Sequence, residues 1–325
     1  MLWLVYFLLL ISLIHLYFMI SRRFGILDLP VDRSSHAKPV IRGAGILFPA
    51  GLGLWFVWSG FQYPWFFTGL LALSLISFLD DLSHMMRWVR FLTQLFVLPF
   101  IYLQLGCPEL SWWVLVIAGF VALGIINAFN FMDGINGMMG MYSLGTLATL
   151  WFVNNHTFRF IENEVLYAAA IPLLVFGLYN FRTQARCFAG DVGPVAISLL
   201  FVFLFSKLIL DSGNVLYLCF LMLFGIDCSM TILDRIRLGE NIVKPHRKHL
   251  YQILANEGGF PQITIATVYV AIQLAVNSII LVLIAYASAR IAMVVTGILI
   301  AGAMASFLVL KAKSDPKPPS QSFPV

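Results

Sequence analysis

Residues 188–210 read FAGDVGPVAISLLFVFLFSKLIL, and this stretch combines the two properties that decide the fold. Residues 194–210 are almost entirely apolar. A spanning helix needs about 20 mostly apolar residues, and fewer where neighbouring helices shelter one another. Just before this run, Gly190 and Gly193 flank a single acid, Asp191. The stretch therefore predicts a membrane-spanning helix that begins at a carboxylate.

The rest of the chain has the same apolar character. Of its 325 residues, 61% are hydrophobic and 11% are charged, and the mean hydropathy is +0.92. Soluble domains average about 45–50% apolar and about 25% charged residues. A water-soluble globule could not bury so much apolar surface, which excludes a cytosolic enzyme, a secreted disulfide scaffold and a disordered chain. The net charge of +5 is better explained by membrane topology than by nucleic acid, so no nucleic-acid partner is expected.

The apolar runs predict an all-α, polytopic bundle of about eleven transmembrane helices in a lipid bilayer. They lie at residues 2–20, 44–60, 64–80, 91–106, 111–128, 136–153, 165–181, 194–210, 214–233, 263–286 and 291–310. With the N-terminus outside and the C-terminus inside, seventeen of the 20 Lys and Arg residues fall on the inner side, as the positive-inside rule requires. We expect one integral-membrane catalytic domain over residues 1–310. The proline-rich residues 311–325 are expected to form a disordered cytoplasmic tail.

Acidic and amide side chains gather at the inner ends of three predicted helices. They are Asp80 with Asp81, Asn127 with Asn130 and Asp133, and Asp191. Charged groups at membrane depth are costly, so three such sites at one depth indicate a shared partner rather than three separately solvated ends. A hard cation such as Mg²⁺ takes oxygen ligands and commonly bridges protein carboxylates to substrate phosphates. The spacing of three residues also places the members of the second group on one helix face.

Basic residues occupy the inner loops opposite these acids. Arg33, His36, Lys38 and Arg42 lie in the first inner loop, and the longest inner loop contains the run PHRKH at residues 245–249. Basic clusters beside a membrane are most often topology anchors or contacts to anionic lipids. The two histidines of the run could alternatively bind zinc, although no Cys or third His is near. Beside a carboxylate–metal site, the same loops would suit a diphosphate substrate, which is the interpretation we favour.

Taken in order, these motifs resemble those of the polyprenyl-phosphate N-acetylhexosamine-1-phosphate transferases, a group of the glycosyltransferase family 4 type. The matching segments are GILDLPVDRSSHAKPVIRG at residues 25–43, DD at 80–81, NAFNFMDGING at 127–137, FAGDVG at 188–193 and HRKHL at 246–250. Each segment alone is a weak signal. The ordered set, on the expected face of the membrane, is a specific one.

The resemblance implies an enzyme of the bacterial cytoplasmic (inner) membrane whose active site is on the cytoplasmic side. It would transfer an N-acetylhexosamine 1-phosphate from a UDP-sugar to undecaprenyl phosphate, releasing UMP and starting a lipid-linked glycan such as the O-antigen of lipopolysaccharide. It implies Mg²⁺ as cofactor, with Mn²⁺ as a substitute, and it allows a homodimer. The donor is a UDP-N-acetylhexosamine whose sugar stays open among GlcNAc, GalNAc and 6-deoxy-N-acetylamino sugars. The alternative function is a lipid-diphosphosugar transporter or flippase, which the sparse outer loops disfavour.

The resemblance also assigns roles by motif position. Asn130 and Asp191 would be the metal ligands, and the catalytic set would be Asp80, Asp81, Asp191 and His249. The substrate-binding set would be Arg42, Arg90, Asn127, Asp133, Gly134, Asn136, Phe188, His246 and Arg247, with Phe188 stacking on the uracil.

Two mechanisms are open: direct attack by the lipid phosphate, and a covalent phosphosugar intermediate on an aspartate. Direct attack is favoured because a phosphate monoester, with a second pKa near about 6, is already mostly dianionic at neutral pH. Asp80 is the favoured group for orienting or deprotonating the lipid phosphate. For Asp227, within the ninth predicted helix, the simplest interpretation is polar packing in the bundle.

Overall fold

The computed structural model describes residues 2–30, 38–83, 86–242, 244 and 246–314, and most of them are helical. The α-helices of these residues are α1 (Leu2–Phe24), α2 (Leu47–Trp58), α3 (Pro64–Ser83), α4 (Arg87–Gln104), α5 (Trp112–Met132), α6 (Met138–His156), α7 (Asn163–Asn180), α8 (Val192–Ser212), α9 (Met222–Arg237), α10 (Leu250–Asn256), α11 (Gln262–Tyr286) and α12 (Ala289–Ser314). Two short antiparallel strands, β1 (Leu27–Asp28) and β2 (Val40–Ile41), form the one hairpin of the described residues.

The helices confirm an all-α, polytopic membrane protein. Seven segments are long and apolar enough to cross a bilayer: α1, α3, α5, α8, α11, α12 and the segment Val215–Arg237, which contains α9. The other four predicted spans coincide with α2, α4, α6 and α7. The hairpin and the seven-residue α10 were not predicted, because neither is long enough to show a hydrophobic period.

Helix α8 lies at the centre of the bundle and packs against α2, α3 and α5. Its phenylalanines are fully covered: the ring of Phe203 stacks on Phe66 of α3 at 4.6 Å between centroids, and Phe201 packs on Phe129 of α5 at 5.3 Å. A helix enclosed by other apolar helices needs no polar face, which explains its nearly unbroken apolar sequence. As a result, Asp191 lies at the N-terminus of the most buried of the candidate spans.

The ninth predicted span, residues 214–233, is not one continuous α-helix. A 3₁₀ segment, Val215–Leu221, precedes α9, and the side chain of Asn214 accepts a hydrogen bond from Leu216 N at its start. The carboxamide of Gln273 in α11 accepts from Leu223 N at 2.9 Å and donates to Cys219 O at 2.9 Å. Irregular backbone at membrane depth is tolerated only where other protein groups satisfy it, and Gln273 does so here.

Helix α12 continues to Ser314, beyond its predicted end at residue 310. The ammonium of Lys311 lies 2.8 Å from Asp234 Oδ2 of α9 and 5.4 Å from the centroid of the Phe307 ring. Phe307 also packs with Met230 and Leu250, joining α12 to α9 and α10. The first four residues of the predicted tail are therefore helical, and residues 315–325 lie outside the described part of the chain.

We expect Gln273→Leu to lower the thermal stability of the protein in detergent. The change leaves Leu223 N and Cys219 O without their side-chain partner, and a buried polar group left unpaired costs about 1–3 kcal/mol. The control is Gln62→Leu, at an exposed position before α3. Melting followed by size-exclusion chromatography should show a clear loss for the first variant only. Equal melting temperatures would contradict the role given to Gln273.

Candidate active site

The backbone of residues 41–45 runs against that of residues 187–189. Phe188 N donates to Ile41 O at 2.8 Å, Ala44 N to Phe188 O at 3.0 Å, and Gly45 N to Ala189 O at 2.9 Å. A Cβ atom on Gly45 would lie 2.5 Å from Ala189 O and would overlap the Cα of Gly193. These glycines are thus required for the close approach that brings the hairpin to the start of α8.

The carboxylate of Asp81 joins three chain segments. Its Oδ1 accepts from Arg42 Nε at 2.8 Å and from Asp191 N at 2.9 Å, and its Oδ2 accepts from Val192 N at 3.3 Å. The first N–H groups of a helix have no partner within the helix, and the helix dipole favours an anion there. Asp81 of α3 therefore holds the N-terminus of α8 and the arginine that follows β2 in fixed positions.

Two arginines bridge the remaining carboxylates. Arg90 Nη1 lies 3.1 Å from Asp80 Oδ2 and 2.9 Å from Asp191 Oδ2, and Arg42 Nη2 lies 3.5 Å from Asp191 Oδ2. The exposed fraction of the side chain is 0% for Asp81, 4% for Asp80 and 20% for Asp191. Asp191 is therefore the carboxylate of the three that a ligand reaches first.

A polar cavity of about 360 Å³ opens beside Asp191. Nine of the predicted site residues line it: Arg42, Asn130, Asp133, Gly134, Asn136, Phe188, Asp191, His246 and Arg247. Asp80, Asp81 and Arg90 do not line the cavity, but each is hydrogen-bonded to Asp191, which does. The structure thus brings together side chains from five separate parts of the sequence.

Two predicted site residues lie elsewhere. Asn127 donates to Gln94 Oε1 at 3.1 Å and to Leu123 O at 2.8 Å, and it lines a second, apolar cavity of about 820 Å³ between α5, α9 and α12. His249 is buried beside Asp227 of α9 and lines neither of these two cavities. Of the first inner loop, residues 31–37, which include Arg33 and His36, lie outside the described residues.

The site holds more carboxyl groups than guanidinium groups. Its carboxyl groups include those of Asp80, Asp81, Asp133 and Asp191, and its guanidinium groups are those of Arg42, Arg90 and Arg247. Burial raises the pKa of Asp133 well above its usual range, and the carboxylates of Asp191 and Asp81 raise it further. Burial also raises the pKa of Asp191 to about 7, helped by the charge of Asp81 and a hydrogen bond with Asp80.

This excess of carboxylate fits a divalent cation. Mg²⁺ is usually held by one or two carboxylates together with water and substrate phosphates, rather than by a complete protein cage. In keeping with that, the part of the chain that the structure describes contains no cluster of three or more His, Cys, Asp or Glu residues arranged to hold a metal by themselves. Asn130 and Asp191, which both line the cavity, supply oxygen ligands of the required type.

The buried guanidinium of Arg235 in α9 shapes the loop that carries the basic run. It donates to the main-chain oxygens of residues 241, 242 and 244 at 2.6, 3.0 and 3.2 Å. At the far end of this loop, burial and the neighbouring His249 lower the pKa of His246 to about 4. His246 is therefore neutral at physiological pH, which leaves Arg247 as the cation of this side of the cavity.

Four further residues with polar side chains line the polar cavity without having been predicted as site residues: Asp28, Asn180, Gln252 and Gln262. Asn180 accepts from Gly137 N at 2.8 Å and donates to Cys187 O at 2.9 Å, and Gln262 accepts from Asn136 N at 2.9 Å. They hold the loops around the cavity together. Asn180 lies at the inner end of its helix, as Asn130 does, and could have been predicted on the same ground. Gln252 and Gln262 belong to no motif, so there was no reason to select them from the sequence.

Comparison with known proteins gives a consistent result. Residues 63–209 match the model of glycosyl transferase family 4. Over 276 residues the chain is 24% identical to a probable undecaprenyl-phosphate N-acetylglucosaminyl 1-phosphate transferase of Bacillus subtilis, covering 77% of this chain and 75% of the relative. It is also 24% identical over 281 residues to the undecaprenyl-phosphate alpha-N-acetylglucosaminyl 1-phosphate transferase of Escherichia coli K12, covering 78% and 76%. A putative glycosyltransferase of Methanocaldococcus jannaschii is 28% identical over 233 residues, covering 70% and 72%.

We expect Gly190→Ala to destabilise the protein more than Gly213→Ala. Both glycines have a left-handed backbone, with φ of +70° and +71°, so the conformational strain of an alanine is alike at the two sites. At position 190 the new Cβ would also overlap Asp81 Oδ2 and lie 2.8 Å from Gly43 Cα, whereas nothing lies within 4 Å at position 213. Thermal melting of the two variants in detergent measures the difference. Equal losses would show that the packing around Asp81 is loose.

Proposed function

We propose that the chain is a member of glycosyl transferase family 4, whose model matches residues 63–209. On that premise it transfers an N-acetylhexosamine 1-phosphate from a UDP-sugar to undecaprenyl phosphate and releases UMP. The observation that carries the proposal is the buried group of carboxylates beside a polar cavity of about 360 Å³, which approaches a larger apolar cavity of about 820 Å³. A reaction between a water-soluble diphosphate and a lipid phosphate needs both kinds of space at one place.

The polar cavity suits the donor. Phe188 offers an aromatic face on which a uracil ring can stack, and Asp133, Gly134 and Asn136 would lie near the uridine. Arg42 and Arg247 lie on the cavity wall as cations for the two phosphates. Arginine suits this task because its guanidinium can form paired hydrogen bonds to phosphate oxygens.

The apolar cavity suits the acceptor. Phe120 of α5, Ile226 of α9 and Met304 of α12 are among the side chains that line it. Its lining also includes Asn127, one helical turn from Asn130, which lines the polar cavity. The two cavities therefore approach each other at the inner end of α5, where we place the phosphate of the lipid.

In the proposed reaction an oxygen of the lipid phosphate attacks the phosphorus that carries the sugar. A new phosphorus–oxygen bond forms, the bond to the UMP oxygen breaks, and the electron pair leaves with UMP. Asp80 orients the attacking phosphate, as its place beside Asp191 allows. Because the nucleophile and the donor are both anionic, the main work of Arg42, Arg90 and Arg247 is to position them and neutralise their charge.

We further propose that Asn130 and Asp191 hold Mg²⁺, or Mn²⁺ in its place. When bound, the cation neutralises phosphate charge during the transfer. A bound cation would also offset the negative charge of the carboxylates around Asp191. It would favour the ionised form of Asp191 itself.

The distribution of Lys and Arg supports an N-terminus outside, a C-terminus inside and eleven spans, which would place the site on the cytoplasmic face of the bacterial inner membrane. The product of the reaction would be the first lipid-linked intermediate of a glycan such as the O-antigen of lipopolysaccharide.

The proposal is tested by assaying the purified protein for UMP release. Undecaprenyl phosphate is supplied together with each of a panel of UDP-N-acetylhexosamines and with UDP-glucose as control. We expect UMP and a lipid diphosphosugar to form in equal amounts from at least one N-acetylated donor, and neither to form without the lipid. Absence of UMP from every donor would reject the transferase and favour the transporter. Release without lipid, accompanied by a phosphosugar–protein adduct, would replace direct attack by a covalent intermediate.

We expect Asp191→Ala to lower turnover by about 10²-fold or more, the scale on which single electrostatic groups act in active sites. It should also remove Mn²⁺ binding measured by electron paramagnetic resonance. The control is Asp211→Ala, near the other end of α8, where the carboxylate pairs with Lys207 in a more exposed position. The wild-type enzyme should be inactive in chelator. Full turnover without a divalent ion would contradict the metal proposal and leave the transfer reaction itself untouched.

A further inference from the structure

The carboxylate of Asp227 in α9 is buried and makes five hydrogen bonds. Its Oδ1 lies 3.0 Å from His249 Nδ1 and accepts from Leu250 N at 3.2 Å and from Thr231 Oγ1 at 3.3 Å. Its Oδ2 accepts from Tyr269 Oη at 2.7 Å and from Tyr251 N at 3.4 Å. Simple polar packing in the bundle, the interpretation offered by the sequence, does not account for so many donors on one carboxylate.

These bonds fix the orientation of His249. The side chain of His249 is 2% exposed, and its Nδ1 is bonded to Asp227. Its other ring nitrogen, Nε2, is buried and has no hydrogen-bond partner among the described residues. A buried polar atom without a partner costs free energy, so such an atom calls for an explanation in terms of a ligand.

The position of the ring suggests which ligand. The His249 ring lies 5.0 Å from the ring of His246, which lines the polar cavity, and 5.9 Å from that of Phe131, which lines the apolar one. His249 therefore sits between the two spaces proposed for the donor and for the lipid. The chemical group that both substrates bring to this place is a phosphate.

We propose that Asp227 is a positioning residue that acts through His249. The carboxylate keeps Nδ1 protonated, so Nε2 is always the nitrogen left available for a hydrogen bond with a substrate phosphate. The ring holds one orientation whether Nε2 accepts a hydrogen bond or, when protonated, donates one. The proposal rests on the proposed transfer reaction for its substrate, but the state of the ring can be tested separately.

The first test is a double-mutant cycle with Asp227→Asn and His249→Gln. The asparagine keeps the size of the side chain and one acceptor oxygen but removes the charge that holds Nδ1–H. We expect each single variant to lower kcat by about 10–100-fold, as loss of an orienting partner typically does, with KM for the UDP-sugar little changed. The double variant should be no slower than His249→Gln, because residues that act as one unit are not additive.

The matched control is Tyr269→Phe, which removes a donor from Oδ2 and leaves the contact of His249 with Oδ1 intact. It should keep a kcat close to that of the wild type. If Asp227 is only structural, Asp227→Asn and Tyr269→Phe will both lower the yield of folded protein and leave kcat per folded molecule unchanged. That result, or additive losses in the cycle, would overturn the proposal.

The second test needs no turnover and no mutation of Asp227. The ¹⁵N spectrum of histidine-labelled wild-type protein, in which the His249 signals are identified by their absence from His249→Gln, reports which ring nitrogen carries the proton. We expect a protonated Nδ1. A neutral ring protonated at Nε2 alone would reject the proposal even if UMP is released. A protonated Nδ1 in a protein that releases no UMP would reject the transfer reaction and keep the histidine–aspartate pair.

Discussion

The buried carboxylate of Asp81 is the constraint on which the site depends. It is one side chain, yet it neutralises Arg42, pairs with the first N–H groups of α8 and fixes Asp191 beside Arg90. The Asp81 side chain is fully buried, and a buried polar group left unpaired costs about 1–3 kcal/mol, so loss of this pairing would be costly. The backbone segments around Asp81 pack closely, and glycines at positions 45, 190 and 193 make this possible because a Cβ atom there would overlap a neighbouring group.

The packing of the apolar core fixes the position of the charged site. Helix α8 is enclosed by α2, α3 and α5, so its N-terminus cannot shift without disturbing phenylalanine packing across the bundle. The carboxylate of Asp191 at that N-terminus is therefore held in a fixed position as well. Functional groups that need an accurate position are best carried by such a rigid element.

Hydrophobic runs and polar helix ends were enough to predict the membrane bundle, and nine of the predicted site residues do line one cavity. Prediction failed where a residue's role depends on distant backbone. The break before α9 is stabilised by Gln273, 50 residues from Leu223. Asn127 and Asn130 share a helix face by spacing, yet they line different cavities. The partners of Asp227 could not be predicted either, since His249 and Tyr269 lie 22 and 42 residues away in sequence.

Arg235 has a consequence for how this scaffold can diversify. Its guanidinium donates hydrogen bonds to main-chain oxygens of the loop after α9, including those of Ile242 and Lys244. The side chains of these two residues are exposed. The path of the loop is therefore encoded by one buried cation on α9 rather than by the identity of its own residues. Such a loop can accept new side chains during divergence while its course stays the same. Related proteins could therefore differ in the side chains that this loop presents to solvent while its backbone keeps the same course.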